Sequence, residues 1–281
     1  MTRIGKLPTK QLKRKFALAF LLVSAPTVWA QDAREIVKKS VEKDQFSANH
    51  AKDYAWVQRV ETHQNSSKDK DAIRTFESVF LYGRRFNRLI ARNDKPLPDD
   101  EKNKVQAAFD KRVAEQQKQQ PAREARREKN RERERAFELE IPDLYNFKLE
   151  GEDKIDGYDV WIISATPKPN YTPRDKDARP LQKFRGKLWI DKAEYHWVRI
   201  QAEVIEPLTW GLFIAKLNPG STMFIEQTRV NDEIWLPKHQ TVHFAARLVF
   251  KHFDMQQDIT FRDYRKFVTD SKITGSSELG K

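Results

Sequence analysis

The chain predicts a mainly β fold with some α: an antiparallel sheet curled into a barrel or half-barrel, an N-terminal helix and one inserted, charged helical arm. Three observations predict it. Strand-like runs with two-residue alternation recur at short intervals from Tyr54 to Phe261, separated by turn residues; Gln240, Val242, Phe244, Ala246, Leu248 and Phe250 form the cleanest of them. The stretch from Arg185 to Glu206 reads as two strands and a polar turn. Leu188 and Ile190 share a face of the first strand, and Val198, Ile200, Ala202 and Val204 share a face of the second opposite Arg199, Gln201 and Glu203. Between 97 and 138 the alternation gives way to charged helix formers.

Taken in order, a basic region ending at Lys13-Arg14-Lys15 precedes the apolar run Phe16 to Ala25, with small Ala30 before Gln31. That is the pattern of a cleaved export signal over 1–30, cut between Ala30 and Gln31. Residues 31–44 predict a helix capped by Asp32, with Ile36, Val37 and Val41 as its apolar stripe. Tyr54 to Glu61 and Ile73 to Tyr82 predict strands, the second apolar on both faces and so covered on both sides. Pro98-Asp99-Asp100-Glu101 starts a helix, because proline and acidic side chains suit a first turn. Val105, Phe109 and Val113 give the arm a narrow seam, and Pro121 is expected to interrupt it. From Ile141 the β pattern is expected to resume. Ile155-Asp156-Gly157 marks a hairpin turn, and 166–180, with four prolines, a long loop. Residues 271–281 read as a flexible tail.

Composition narrows the function. The net charge of +12 invites nucleic-acid binding, but residues 1–30 hold six basic residues and no acidic one. Without them 47 basic residues face 41 acidic, mostly interleaved in sign, which makes a solvated surface and not a phosphate-binding stripe. No nucleic acid is expected as partner. With no cysteine the chain has neither disulfides nor thiolate metal sites. His239 and His243 would share a face of a helix, but on a strand they stand roughly 13 Å apart, and no metal is expected there. No serine-nucleophile elbow or glycine-rich phosphate loop occurs, and Asp156, Asp159, Asp191 and Glu194 sit where turn chemistry explains them. The reading is a non-enzyme without a cofactor.

What remains is apolar. A curved sheet has a concave side, and Phe76, Phe80, Val198, Ile200, Val242, Phe244 and Leu248 are the wall candidates for a ligand cavity. The arm, with its Arg-Arg-Glu and Arg-Glu-Arg runs, is either a solvated helix laced with ion pairs or a docking device for an anionic membrane surface or a protein partner.

The segment from Ile155 to Lys266 resembles the outer-membrane lipoprotein-sorting proteins of the LolA-like superfamily. IDGYDVWIISATPKPNY (155–171), RGKLWIDKAEYHWVRIQAEV (185–204) and NDEIWLPKH (231–239) carry the resemblance. It implies an unclosed antiparallel β-barrel, a LolA-like half-barrel, formed by a single domain over 31–270 with the helical insertion at 97–138. It also implies a periplasmic protein that holds the acyl chains of a lipid or lipoprotein in an apolar cavity. The alternative within the same superfamily is a regulatory or scaffold protein of the envelope-stress-sensor kind, binding a protein partner through the arm.

Overall fold

The computed structural model describes residues 32–64, 71–210, 215–248 and 251–267, with the backbone alone at 71, 120–135, 210, 215, 248 and 251. The export signal with its Ala30/Gln31 cleavage point and the tail at 271–281 lie outside the described residues.

Helix α1 (Ala33–His50) follows Asp32, whose carboxylate accepts from the Arg34 N–H at 2.9 Å, so the predicted cap is in place. The helix runs six residues beyond the predicted end, and a 3-10 turn (Ala51–Asp53) leads into the sheet. Four strands follow: β1 (Tyr54–Gln64), β2 (Asp71–Leu81), β3 (Arg84–Arg92) and the two-residue β4 (Lys95–Pro96). Helix α2 (Asp99–Leu144) comes next, then β5 (Tyr145–Ile155), β6 (Tyr158–Pro167), a 3-10 segment (Lys176–Lys183), β7 (Phe184–Asp191) and β8 (Trp197–Val204). The chain continues through short β9 (Leu208–Trp210) and β10 (Ala215–Leu217) into β11 (Thr222–Val230), β12 (Ile234–Leu248) and β13 (Lys251–Lys266).

These strands form one antiparallel sheet in the order β4-β3-β2-β1-β13-β12-β11-β8-β7-β6-β5, with β10 on β12 and β9 on β10. The first and last strands of that order do not pair with each other, so the barrel is unclosed, as the LolA-like resemblance implies. Tight turns set the register. Tyr82-Gly83, Asn93-Asp94 and Asp156-Gly157 all have positive φ, the two-residue geometry that matches strand twist. The Asp191 carboxylate accepts from the Glu194 N–H at 2.7 Å in the β7–β8 turn, the local role turn chemistry assigns it.

Two expectations about the arm are corrected. The backbone stays helical through Pro121, making a single helix of 46 residues. Proline removes one N–H bond from the ladder, and the helix is held independently on both sides of it. On the first side, Phe109 meets Phe86 of β3 edge to face at 6.0 Å, and Arg112 donates to the Asn87 carbonyl at 3.3 Å. On the second, Phe137, Ile141 and Leu144 pack with Tyr145, Ala165, Ala178 and Leu181. The β pattern therefore resumes at Tyr145, four residues later than expected, because Ile141 and Leu144 serve as helix-face core.

Candidate ligand-binding groove

The apolar stripe of α1 lies on the β5–β8 half of the sheet. Ala33, Ile36 and Val37 bury against Trp161, Ile163 and Ile190, with Phe147, Leu149, Leu188 and Trp197 alongside. The last turns of α2 and Leu181 of the 3-10 segment stand opposite. Between them a groove of about 310 Å³ runs over the inner face of the sheet, near the lower end of the size range for small-molecule sites.

Cross-strand register explains why it is hollow. One row across the sheet reads Phe147, Ala165, Gly186, Ala202, Met223, Val242. The next row reads Leu149, Ile163, Leu188, Ile200, Ile225. The three central members of the first row are the smallest side chains available, so the helices bridge a trench there, where the second row would fill the space. Gly186 has a further constraint. A Cβ on it would meet the Gln201 carbonyl oxygen at 3.0 Å, so any side chain would push against the neighbouring strand.

The groove is lined mainly by carbon, with polar residues on both sides: Arg185, Lys187 and Gln201 border it from β7 and β8. Ser40 and Asp44 of α1 and Glu138 of α2 face it. Asp44 accepts side-chain hydrogen bonds from Trp197 and Gln227, yet burial, reinforced by Glu138, pushes its carboxyl up to about 6. Gln227 is itself buried, and its Oε1 has no hydrogen-bond partner.

The sequence candidates fall in several places. Ile200 lines the groove. Val242, buried, extends the floor row one strand past Met223. Val198 sits at a register shift between β7 and β8, which turns it away to pack with Ile155, Val160 and Trp235. Phe76 and Phe80 stand on β2; Phe76 pairs with Gln58 and Leu89, and the Arg85 guanidinium lies 5.9 Å from the Phe80 ring. Phe244 pairs with Met255 on the β12–β13 hairpin. Leu248 ends β12 opposite Ala215, and its side chain is outside the described set.

Sequence reading missed the floor glycine and alanines and the acidic pair. Both left signals. Gly186 interrupts a strand pattern, a mark of close backbone approach. Asp44 lies three residues from Val41 and seven from Val37, so it falls on the apolar stripe of α1 and not on its polar back.

The histidines have other work. His239 pairs with Asp258 at 2.8 Å and His243 with Asp254 at 3.1 Å, both along the β12–β13 ladder. His196 is buried, stacked on Trp235 with ring centroids 5.6 Å apart and 3.3 Å from the Ser47 hydroxyl. Burial lowers its pKa to about 4, which keeps the imidazole neutral. Ser47 also accepts from the Trp235 N–H at 3.4 Å, so this contact ties the end of α1 to β12. A wider hollow of about 630 Å³ beside Glu140, Asp143, Arg174 and Lys176 is lined mostly by charged side chains. Its carboxylates are engaged in bonds between α2 and the 168–183 connection, including Glu140 with the Asp175 N–H at 3.0 Å and Asp143 with Arg174 at 3.0 Å. No described helix is long and apolar enough to cross a membrane.

No family model and no curated protein matches the chain. Among solved structures it is similar to a DUF1329 family protein from Desulfovibrio piger at 14% identity, covering 85% of this chain and 95% of that one with a TM-score of 0.37. It is similar to a putative outer membrane lipoprotein-sorting protein domain from Vibrio parahaemolyticus at 11% identity, covering 82% and 93%, TM-score 0.34. A LolA superfamily protein from Nitrosomonas europaea is similar at 8% identity, covering 84% and 94%, also with a TM-score of 0.34.

Proposed function

We propose that this protein is a periplasmic, non-enzymatic binding protein or carrier that holds an acyl chain of a lipid or lipoprotein in the groove under α1. The observation that carries the reading is the trench itself: a carbon-lined space of about 310 Å³ floored by Ala165, Gly186 and Ala202. Each methylene moved there from water contributes about 0.8 kcal/mol, so affinity needs no charged anchor. The test is saturable binding of a neutral fluorescent alkyl probe by delipidated protein. Ala202→Trp, which fills the trench from its floor, abolishes binding while circular dichroism stays native. Absence of saturable binding by the unmodified protein refutes the reading.

A second reading rests on the arm. Its middle, 122–135, carries seven basic and four acidic residues. That excess suits an anionic membrane surface or an acidic protein partner, as a regulator or scaffold would require. Neutralising the arm separates the two readings, because the described residues of the groove lie outside 122–135.

A further inference from the structure

The acyl-chain reading says nothing about the polar end of the ligand, and the groove has a charge pattern that does. Among the described residues, four acidic or basic ones border it: Asp44 and Glu138 on facing helices, and Arg185 and Lys187 on β7, at the strand positions that alternate with the floor residues Gly186 and Leu188. The basic residues along the same strands are committed elsewhere. Arg185 is exposed and donates twice to Glu203, at 3.0 and 2.8 Å. Lys187 is exposed with its ammonium 5.9 Å from the Trp189 ring, on the outer face of β7. Glu138 has no basic partner among the described residues, whereas its neighbours Glu140 and Asp143 are bonded to Arg174 and Asp175. Beside Asp44, the buried Gln227 gives its amide N–H₂ to the carboxylate and keeps an unpartnered Oε1. The donors at this end, the Trp197 indole and the Gln227 amide, are spent on Asp44, and the buried Gln227 Oε1 is left without one, an unfilled requirement.

Resting on the acyl-chain reading, we infer that the groove takes a long-chain amphiphile whose polar end is cationic and donates hydrogen bonds, and discriminates against a free carboxylate. Asp44 and Glu138 set this specificity. A donor-headed chain places its N–H groups against the Asp44 and Glu138 carboxylates. A fatty-acid carboxylate at the same position meets two like charges and no donor. Charge complementarity at a partly desolvated site acts on specificity more than on total affinity, so head groups separate while chain length continues to set the overall strength.

The experiment displaces the neutral alkyl probe from the full chain with dodecylammonium, dodecanol and dodecanoate at about pH 8, where the ammonium and the carboxylates are charged. Dodecylammonium is expected to displace the probe at least about tenfold more effectively than dodecanoate, with dodecanol between them. In Asp44→Asn/Glu138→Gln that ratio falls to within about twofold. Asparagine keeps an oxygen for Trp197, and the single variant Glu138→Gln, which leaves α1 untouched, repeats the test with a smaller narrowing should the double variant misfold. Equal displacement by all three heads in the unmodified protein overturns this inference and leaves the acyl-chain reading standing. A preference that survives in the double variant also overturns it. No saturable probe binding at all overturns the acyl-chain reading.

Discussion

Replacing Asp44 by asparagine is expected to stabilise the fold at neutral pH. Burial of this α1 side chain over the sheet, with Glu138 nearby, raises the carboxyl from 3.8 to about 6 in the folded protein. The folded chain therefore holds this proton more tightly than the unfolded chain. Below about pH 4 both states are protonated and the carboxylate has no effect; as pH rises towards 6 the unfolded state ionises first, and stability falls. Above 6 the full penalty remains, at 1.36 kcal/mol per unit, or about 3 kcal/mol before discounting for the side chain's partial exposure and about 2 kcal/mol after it. Asparagine can still accept from Trp197 but removes the charge beside Glu138. Urea denaturation of the two proteins at about pH 7.5 should show Asp44→Asn more stable by about 2 kcal/mol, shrinking to about 1 kcal/mol or less near pH 4.5. Carboxylates other than Glu138, the ionisable neighbour coupled to Asp44, cancel in the comparison. A variant less stable at pH 7.5, or a difference that does not change with pH, refutes the reasoning. A destabilising acid kept on an otherwise apolar helix stripe is the kind of local conflict that functional sites carry.

Three more outcomes follow from other parts of the fold. His196, lowered from 6.5 to about 4 by burial, should stay neutral well below its ordinary range; its contribution to stability is complete above 6.5 and is lost as pH falls towards 4, and NMR of the ring nitrogens would read a midpoint near 6.5 if this were wrong. Phe109→Ala removes the edge-to-face contact with Phe86 and should cost about 2 kcal/mol in thermal or urea unfolding, less than a fully buried phenylalanine because Phe109 is half-exposed; no loss means α2 does not rest on β3. Changing Arg126, Arg127, Arg131 and Arg133 together to glutamine should weaken co-sedimentation with phosphatidylglycerol vesicles, at about 1 kcal/mol per charge for residues near the surface, and leave groove binding intact. Binding that is unchanged, or absent already in the unmodified protein, removes the membrane role of the arm.

Alternation made most strands legible, because a side chain's face follows from its parity once one face is buried. Positive-φ pairs such as Asp156-Gly157 made the hairpins legible for an equally local reason. Legibility stopped where two elements meet. Val198 shares parity with Ile200, yet one register shift sends it to a different cluster. Pro121 is a breaker by local chemistry, but packing on both sides carries the helix across it. The expected end of the arm at 138 lies inside the helix turns that wall the groove.

The sequence by itself determined the antiparallel alternation, the capped first helix and the charged arm, since each follows from residue type at fixed local spacing. Only the tertiary structure decided that Ala165, Gly186 and Ala202 align into one floor, and that Asp44 and Glu138 face each other above it. Those residues are up to 158 positions apart in the chain. No local period relates them; strand register and helix docking set their distances, and these arise from the packing of the whole sheet.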